Sequence, residues 1–146
     1  GALGAFEATR FAQGRKNYNH FEINGEKGSI AFNLERLNEL QFFDATQPRR
    51  SQGWSTILVT EDIHPYLPAW WPPGHIIGWE HTFTHQIYDL LNCIAAGKMP
   101  SPDFREGMAT QAVLEAVSHS CREKRWVKIS ELWKPRKDHK KKGGKK

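Results

Sequence analysis

The sequence predicts an α+β domain: an open-faced, mainly antiparallel β-sheet with two helices packed on one face, followed by a disordered basic tail. Three observations lead there. Alternating polar and apolar residues fill the first sixty positions, and the strand candidates follow one another too closely for parallel crossovers. A stretch rich in Pro and Trp then breaks the pattern. Beyond it the apolar residues recur at helical spacing.

Phe6 to Phe11 alternates as a first strand, and Tyr18 to Asn24 as a second, with Phe21 and Ile23 on one side. Asn24-Gly25-Glu26-Lys27-Gly28 is a hairpin turn, because Asn-Gly tolerates the left-handed backbone that tight turns require. Ser29 to Leu34 and Glu39 to Asp44 continue the meander, and Trp54 to Thr60, with β-branched Thr56, Ile57 and Val59, is a fifth strand. Residues 61–78 carry Pro65, Pro68, Pro72, Pro73, Gly74 and Gly78, which forbid a continuous ladder; Tyr66, Trp70 and Trp71 mark the loop as packed. Trp79, Phe83, Ile87, Leu90, Leu91 and Ile94 share one helical face, and Gly97 suits the position after the helix end. Asp103 and Glu106 form a capping box for a second helix, whose face of Met108, Ala112, Val113, Ala116, Val117 and Ser120 is built of small residues. Trp126 to Ile129 is expected as a short last strand.

The hydrophobic fraction of 38% and charged fraction of 25% are those of a globular chain with material for a core. The formal charge of +5 suggests a nucleic-acid binder until it is located. From Lys134 onward there are eight Lys or Arg and one acid, whereas residues 1–133 hold 13 basic and 15 acidic groups. The folded part is slightly acidic, so residues 1–133 are expected as the domain and 134–146 as a solvated, disordered tail. Contact with nucleic acid through that tail is the minor reading. No apolar run approaches the roughly 18 residues of a membrane helix. The chain begins Gly-Ala-Leu-Gly without Met or a signal peptide, so the expectation is a piece of a longer, cytoplasmic protein. Cys93 and Cys121 have no metal-type spacing, which fits a reducing compartment.

There is no Gly-x-Gly-x-x-Gly, P-loop or Gly-x-Ser-x-Gly elbow, so no cofactor-binding residue is assigned. His81 and His85 stand four apart with Asp89 beyond them, a spacing that can present metal ligands. Glu80 precedes the first His, so this is not the His-Glu-x-x-His of zinc proteases, and the weightier reading is ordinary helix-surface histidines; no metal is assigned. His75 differs. It lies behind Pro-Pro-Gly at a loop tip beside a helix start, where an imidazole can donate to or accept from a small polar ligand. Trp79 offers the flat apolar face that stacks on a sugar ring. Against this stands the plainer reading, in which His75 only bonds loop backbone and Trp79 is core; the pattern alone leaves both open. Arg10 reads more readily as a salt-bridge partner than as a substrate contact.

The segments Glu7-Ala8-Thr9-Arg10-Phe11-Ala12 with Gly14-Arg15-Lys16-Asn17, then Phe21-Glu22-Ile23 with Gly25 and Lys27-Gly28-Ser29-Ile30, resemble the paired strands opening the C-terminal domain of the Gfo/Idh/MocA oxidoreductases. Glu35 to Leu40, Trp71 to Phe83 and Pro102 to Ser120 continue the resemblance in order, so that it covers roughly Gly4 to Ile129. It implies a two-domain enzyme in which a Rossmann domain holds NAD or NADP and this sheet supplies substrate contacts and a homo-oligomer interface. The family's catalytic Lys, in a Glu-Lys-Pro segment, and its Asp-x-x-x-His pair have no match here; Glu26-Lys27 is followed by Gly28 in a turn. No catalytic residue is therefore assigned, and the chain alone is expected to be inactive.

The leading expectation is the substrate-binding and assembly domain of an NAD(P)-dependent dehydrogenase or reductase acting on a sugar, cyclitol or related polyol, with His75 and Trp79 lining the pocket. The alternatives are a non-catalytic binding or assembly module and a nucleic-acid contact through the tail.

Overall fold

The structure, a computed structural model, describes residues Gly1–Trp133. The tail at 134–146 lies outside the described residues. The backbone falls into two compact units, the first Gly1–Tyr88 and the second beginning at Asp89.

The first unit is built on a four-stranded sheet in the order β1-β2-β3-β4, formed by β1 (His20–Gly25), β2 (Gly28–Asn33), β3 (Glu39–Asp44) and β4 (Trp54–Leu58). All neighbours are antiparallel, as hairpin-length connections require. Gly25 pairs with Gly28, so the turn itself is Glu26-Lys27, one step beyond the Asn24-Gly25 pair that signals it. Gly28 is needed for another reason: a Cβ there would collide with the Phe43 carbonyl oxygen of β3. Strand β3 stops at Asp44, whose carboxylate accepts from the Thr46 amide (2.8 Å) and hydroxyl (2.6 Å).

Because side chains alternate across a strand, the register gathers Phe21, Ile23, Ile30, Phe32, Leu40 and Phe42 on one face. None of them is fully buried, and Phe21, Ile23 and Phe42 are exposed. The opposite face carries Glu22, Ala31, Gln41 and Thr56, with Gln41 and Thr56 hydrogen-bonded across β3 and β4 at 3.0 Å.

Two expectations are corrected. Phe6 to Phe11 forms no strand: residues 1–19 lack regular secondary structure, and Leu3, Phe6 and Phe11 are almost wholly exposed. Alternation makes a strand only where a neighbour supplies a ladder, and none of the described strands pairs there. Arg10 belongs to this irregular segment. Of the five strands expected over the first sixty residues, four form. The second correction concerns Trp126 to Ile129, which is a loop leading into α3 (Ile129–Leu132). Glu131 accepts from the Lys128 amide and pairs with Arg125, which also binds Glu123; these bonds close a turn where a strand would need open backbone.

The two long helices form as the periodicity predicts, α1 over Trp79–Ala95 and α2 over Phe104–Glu123. Gly97 follows α1 with φ +62°, a left-handed conformation that glycine adopts without a Cβ penalty. The capping box of α2 is complete: Asp103 accepts from the amides of Arg105 and Glu106, and Glu106 accepts from the amide of Asp103. Ala112 and Ala116, on the small-residue face, are buried. Among the described residues the only other buried hydrophobics are Ala31 and Leu67.

Candidate functional site

A groove of about 410 Å³ opens in the first unit beside the end of the sheet. One wall is the 3-10 turn Leu34–Arg36 with the residues leading into β3; the other is the segment Ile76–Trp79, where the loop enters α1. Both walls are fixed by polar side chains. Asn33 caps the 3-10 turn, its side-chain oxygen accepting from the Glu35 amide at 2.9 Å. Glu35 reaches back to the irregular N-terminal segment, accepting from the Lys16 amide (2.8 Å) and from Arg15 (3.3 Å). The Lys16 amide, with help from the Arg15 guanidinium, holds the Glu35 carboxyl below its usual range. Arg36 binds Glu39 through two nitrogens at 2.8 and 2.7 Å, and this pairing raises its already high pKa.

The two walls are joined by Asn38. Its Nδ2 donates to the Ile77 carbonyl and its Oδ1 accepts from the Ile77 amide, both at 2.9 Å. The backbone carbonyl of Asn38 meanwhile accepts from the Val59 amide, one step past β4. The sequence reading missed Asn38. A polar residue between a turn and a strand carries no local signal when its partner lies 39 positions away.

Trp79 is the first residue of α1, lines the groove and keeps 52% of its surface exposed. Its ring meets Phe83 edge-on at 5.8 Å. It is therefore not a buried core residue. His75 does not line this groove. It sits on the exposed loop with Nδ1 2.7 Å from the Pro72 carbonyl and its ring 5.7 Å from that of Trp71. A carbonyl can only accept, so Nδ1 carries the proton, and in the neutral ring Nε2 is an acceptor. The backbone bond of the plainer reading is present, and it also fixes which nitrogen could meet a ligand hydroxyl.

His81 and His85 do structural work as acceptors. The Gly78 amide donates to His81 Nδ1 at 3.0 Å, so His81 supports the start of α1 as a Glu does in a capping box. Glu80 lies 3.5 Å from the same nitrogen, but an Nδ1 that accepts from an amide bears no proton, and this contact is not an ion pair. The Trp70 indole N–H donates to His85 Nε2 at 2.8 Å, and Tyr66 stacks on His85 at 4.2 Å. Among the described residues no group of three or more His, Cys, Asp or Glu could hold a metal ion.

Among the described residues, neither long helix offers a start that fits a dinucleotide cofactor. Its pyrophosphate would need free amides at a helix N-terminus behind a glycine-rich turn. At α2 those amides are taken by the Asp103 carboxylate, and at α1 the Gly78 amide is taken by His81 with Glu80 beside it.

The family profile described as "Oxidoreductase family, C-terminal alpha/beta domain" matches residues 1–129. The chain is 38% identical over 133 residues to levoglucosan dehydrogenase of Pseudarthrobacter phenanthrenivorans, covering 90% of this chain and 34% of that protein. An oxidoreductase domain protein from Kribbella flavida superposes with a TM-score of 0.86 at 54% identity, over 88% of this chain and 34% of that one. Levoglucosan dehydrogenase in complex with NADH and levoglucosan superposes at 0.77 with 38% identity, over 82% of this chain and 32% of that one. The chain thus spans about a third of the length of these relatives, and no helix among the described residues is long and apolar enough to cross a membrane. From the profile match and the shared fold it follows that the chain belongs to the Gfo/Idh/MocA oxidoreductase family, as its C-terminal domain.

Proposed function

We propose that residues 1–133 are the substrate-facing and subunit-assembly domain of an NAD(P)-dependent dehydrogenase or reductase acting on a sugar, cyclitol or related polyol, working in the cytoplasm. The observation that carries the reading is the 38% identity, over 90% of this chain, to a dehydrogenase whose structures include complexes with NADH and levoglucosan and with NADH and L-sorbose.

In this reading NAD or NADP is held by a nucleotide-binding domain outside residues 1–133, together with the groups that move the proton. The present residues bind and orient. Trp79 stacks its exposed indole face on the apolar side of a sugar ring, worth roughly 0.5–2 kcal/mol by analogy with other aromatic contacts. His75 accepts a hydroxyl hydrogen at Nε2, its Nδ1 being spent on Pro72. The exposed apolar sheet face around Phe21, Ile23 and Phe42 is covered by a second copy of the chain.

The test uses the oxidoreductase polypeptide that carries this chain with its nucleotide-binding half. NADH or NADPH absorbance is followed with levoglucosan, L-sorbose and myo-inositol as probes. Turnover of at least one is expected, and the isolated chain should neither turn over nor bind either nucleotide by calorimetry. Micromolar nucleotide binding by residues 1–133 alone would overturn the assignment of the cofactor to another domain.

A further inference from the structure

The geometry points to Asn38 as a positioning residue for the substrate-facing loop: its side chain locks the Ile77 peptide groups to the end of the sheet and so sets where Trp79 stands. This rests on the reading of Trp79 as a substrate contact. The chain of bonds is short and continuous. The Asn38 carbonyl is held by the Val59 amide, its carboxamide holds both polar groups of Ile77, and the next amide, that of Gly78, is held by His81. Trp79 follows directly as the first residue of α1. Between the sheet and the indole there is no residue whose backbone is left to swing.

An amide is needed for this. It carries a donor and an acceptor on one planar group, and Asn38 presents both to a single residue. Aspartate has the same shape, but when ionised it only accepts, so it leaves the Ile77 carbonyl without a donor and sets a charge against it. Once protonated, the carboxyl again offers one donor and one acceptor. Leucine has the shape and offers neither.

The experiment measures KM and kcat of the whole oxidoreductase with its best probe sugar for Asn38→Asp, Asn38→Leu and Trp79→Ala, across pH and relative to the wild type. At neutral pH both Asn38 variants should raise the sugar KM about tenfold, Asn38→Leu by losing both hydrogen bonds and Asn38→Asp by losing one and setting a charge against the Ile77 carbonyl, with kcat and the nucleotide KM little changed. The Asn38→Asp defect should shrink as pH falls through the titration of its carboxyl, and the Asn38→Leu defect should not. A folding defect unrelated to these two bonds would not recover in that way, and a global one would move kcat and the nucleotide KM as well. Wild-type KM for Asn38→Asp at neutral pH, or a defect as pH-independent as that of Asn38→Leu, overturns the role of Asn38. If Trp79→Ala leaves the sugar KM unchanged while the Asn38 variants show the expected pattern, the loop role stands and the Trp79 contact falls. Should Asn38→Leu fail to fold, the recovery of Asn38→Asp on acidification decides alone.

Discussion

Replacing His75 separates a loop brace from a substrate contact, because its two ring nitrogens have different work. Nδ1 donates to the Pro72 carbonyl at 2.7 Å on an exposed loop. Such a bond contributes at the low end of about 0.5–1.5 kcal/mol, so losing it shifts the melting midpoint by a few degrees at most. Nε2 is the nitrogen left to accept a substrate hydroxyl. On this exposed loop the loss of that hydrogen bond costs about 0.5–1.5 kcal/mol, which is roughly 2- to 10-fold in kcat/KM. The loss should fall chiefly on KM, since binding is shared by ground and transition states and no proton-transfer group has been assigned to these residues. Two variants divide the roles. His75→Ala removes both nitrogens. His75→Asn places an amide N–H near the Nδ1 position, so it keeps the brace and loses the outer acceptor. The expected result is a raised sugar KM in both, an unchanged nucleotide KM in both, and a lowered midpoint in His75→Ala only. Steady-state kinetics and a thermal melt on the same preparations read all of this. Normal KM and kcat in His75→Asn, with only the midpoint of His75→Ala depressed, would refute the substrate role.

Three further outcomes are expected. Asp103→Ala removes the acceptor for two amides of α2 and the partner side of its capping box, and should cost about 1 kcal/mol in denaturant unfolding; a change below a few tenths would mean that the cap is replaced by other groups. The Glu35 carboxyl titrates lower when folded than unfolded, so its contribution is present above the ordinary carboxylate pKa and is lost as pH falls through the folded value. Acid should accordingly release the Lys16 amide before the sheet unfolds, seen as faster exchange there while the strand amides stay protected; simultaneous loss of both would count against it. Light scattering should give at least twice the 16.8 kDa chain mass, and Ile23→Glu on the exposed sheet face should return a monomer; a wild-type monomer at high concentration would remove the assembly claim.

Much of the fold was legible because its causes are local. The hairpin glycines, the period-two runs from His20 to Leu58, the helical stripe from Trp79 to Ile94 and the Asp103–Glu106 box each depend on residues a few positions apart. Trp79 and His75 could be singled out by type and place, since an indole at a helix start and an imidazole behind Pro-Pro-Gly are unusual company. What surrounds each was open until distances were known. The half-exposed indole and the bond from Nδ1 to Pro72 come from how the loop folds, not from its composition.

The sequence by itself determined the α+β class, the antiparallel pairing of neighbouring strands, where the long helices start and the family. Tertiary structure decided the rest. Phe6 to Phe11 alternates like a strand yet forms none, because a ladder needs a partner and alternation says nothing about whether one is near. Trp126 to Ile129 became a loop and a helical turn because Arg125 and Glu131 close on each other. Asn38 acquired its role from a loop 39 residues on. Hydrophobic periodicity and capping act over a turn or two of chain, whereas pairing, ion pairs and side-chain clamps depend on which distant backbone arrives within about 3 Å, and only the folded chain settles that.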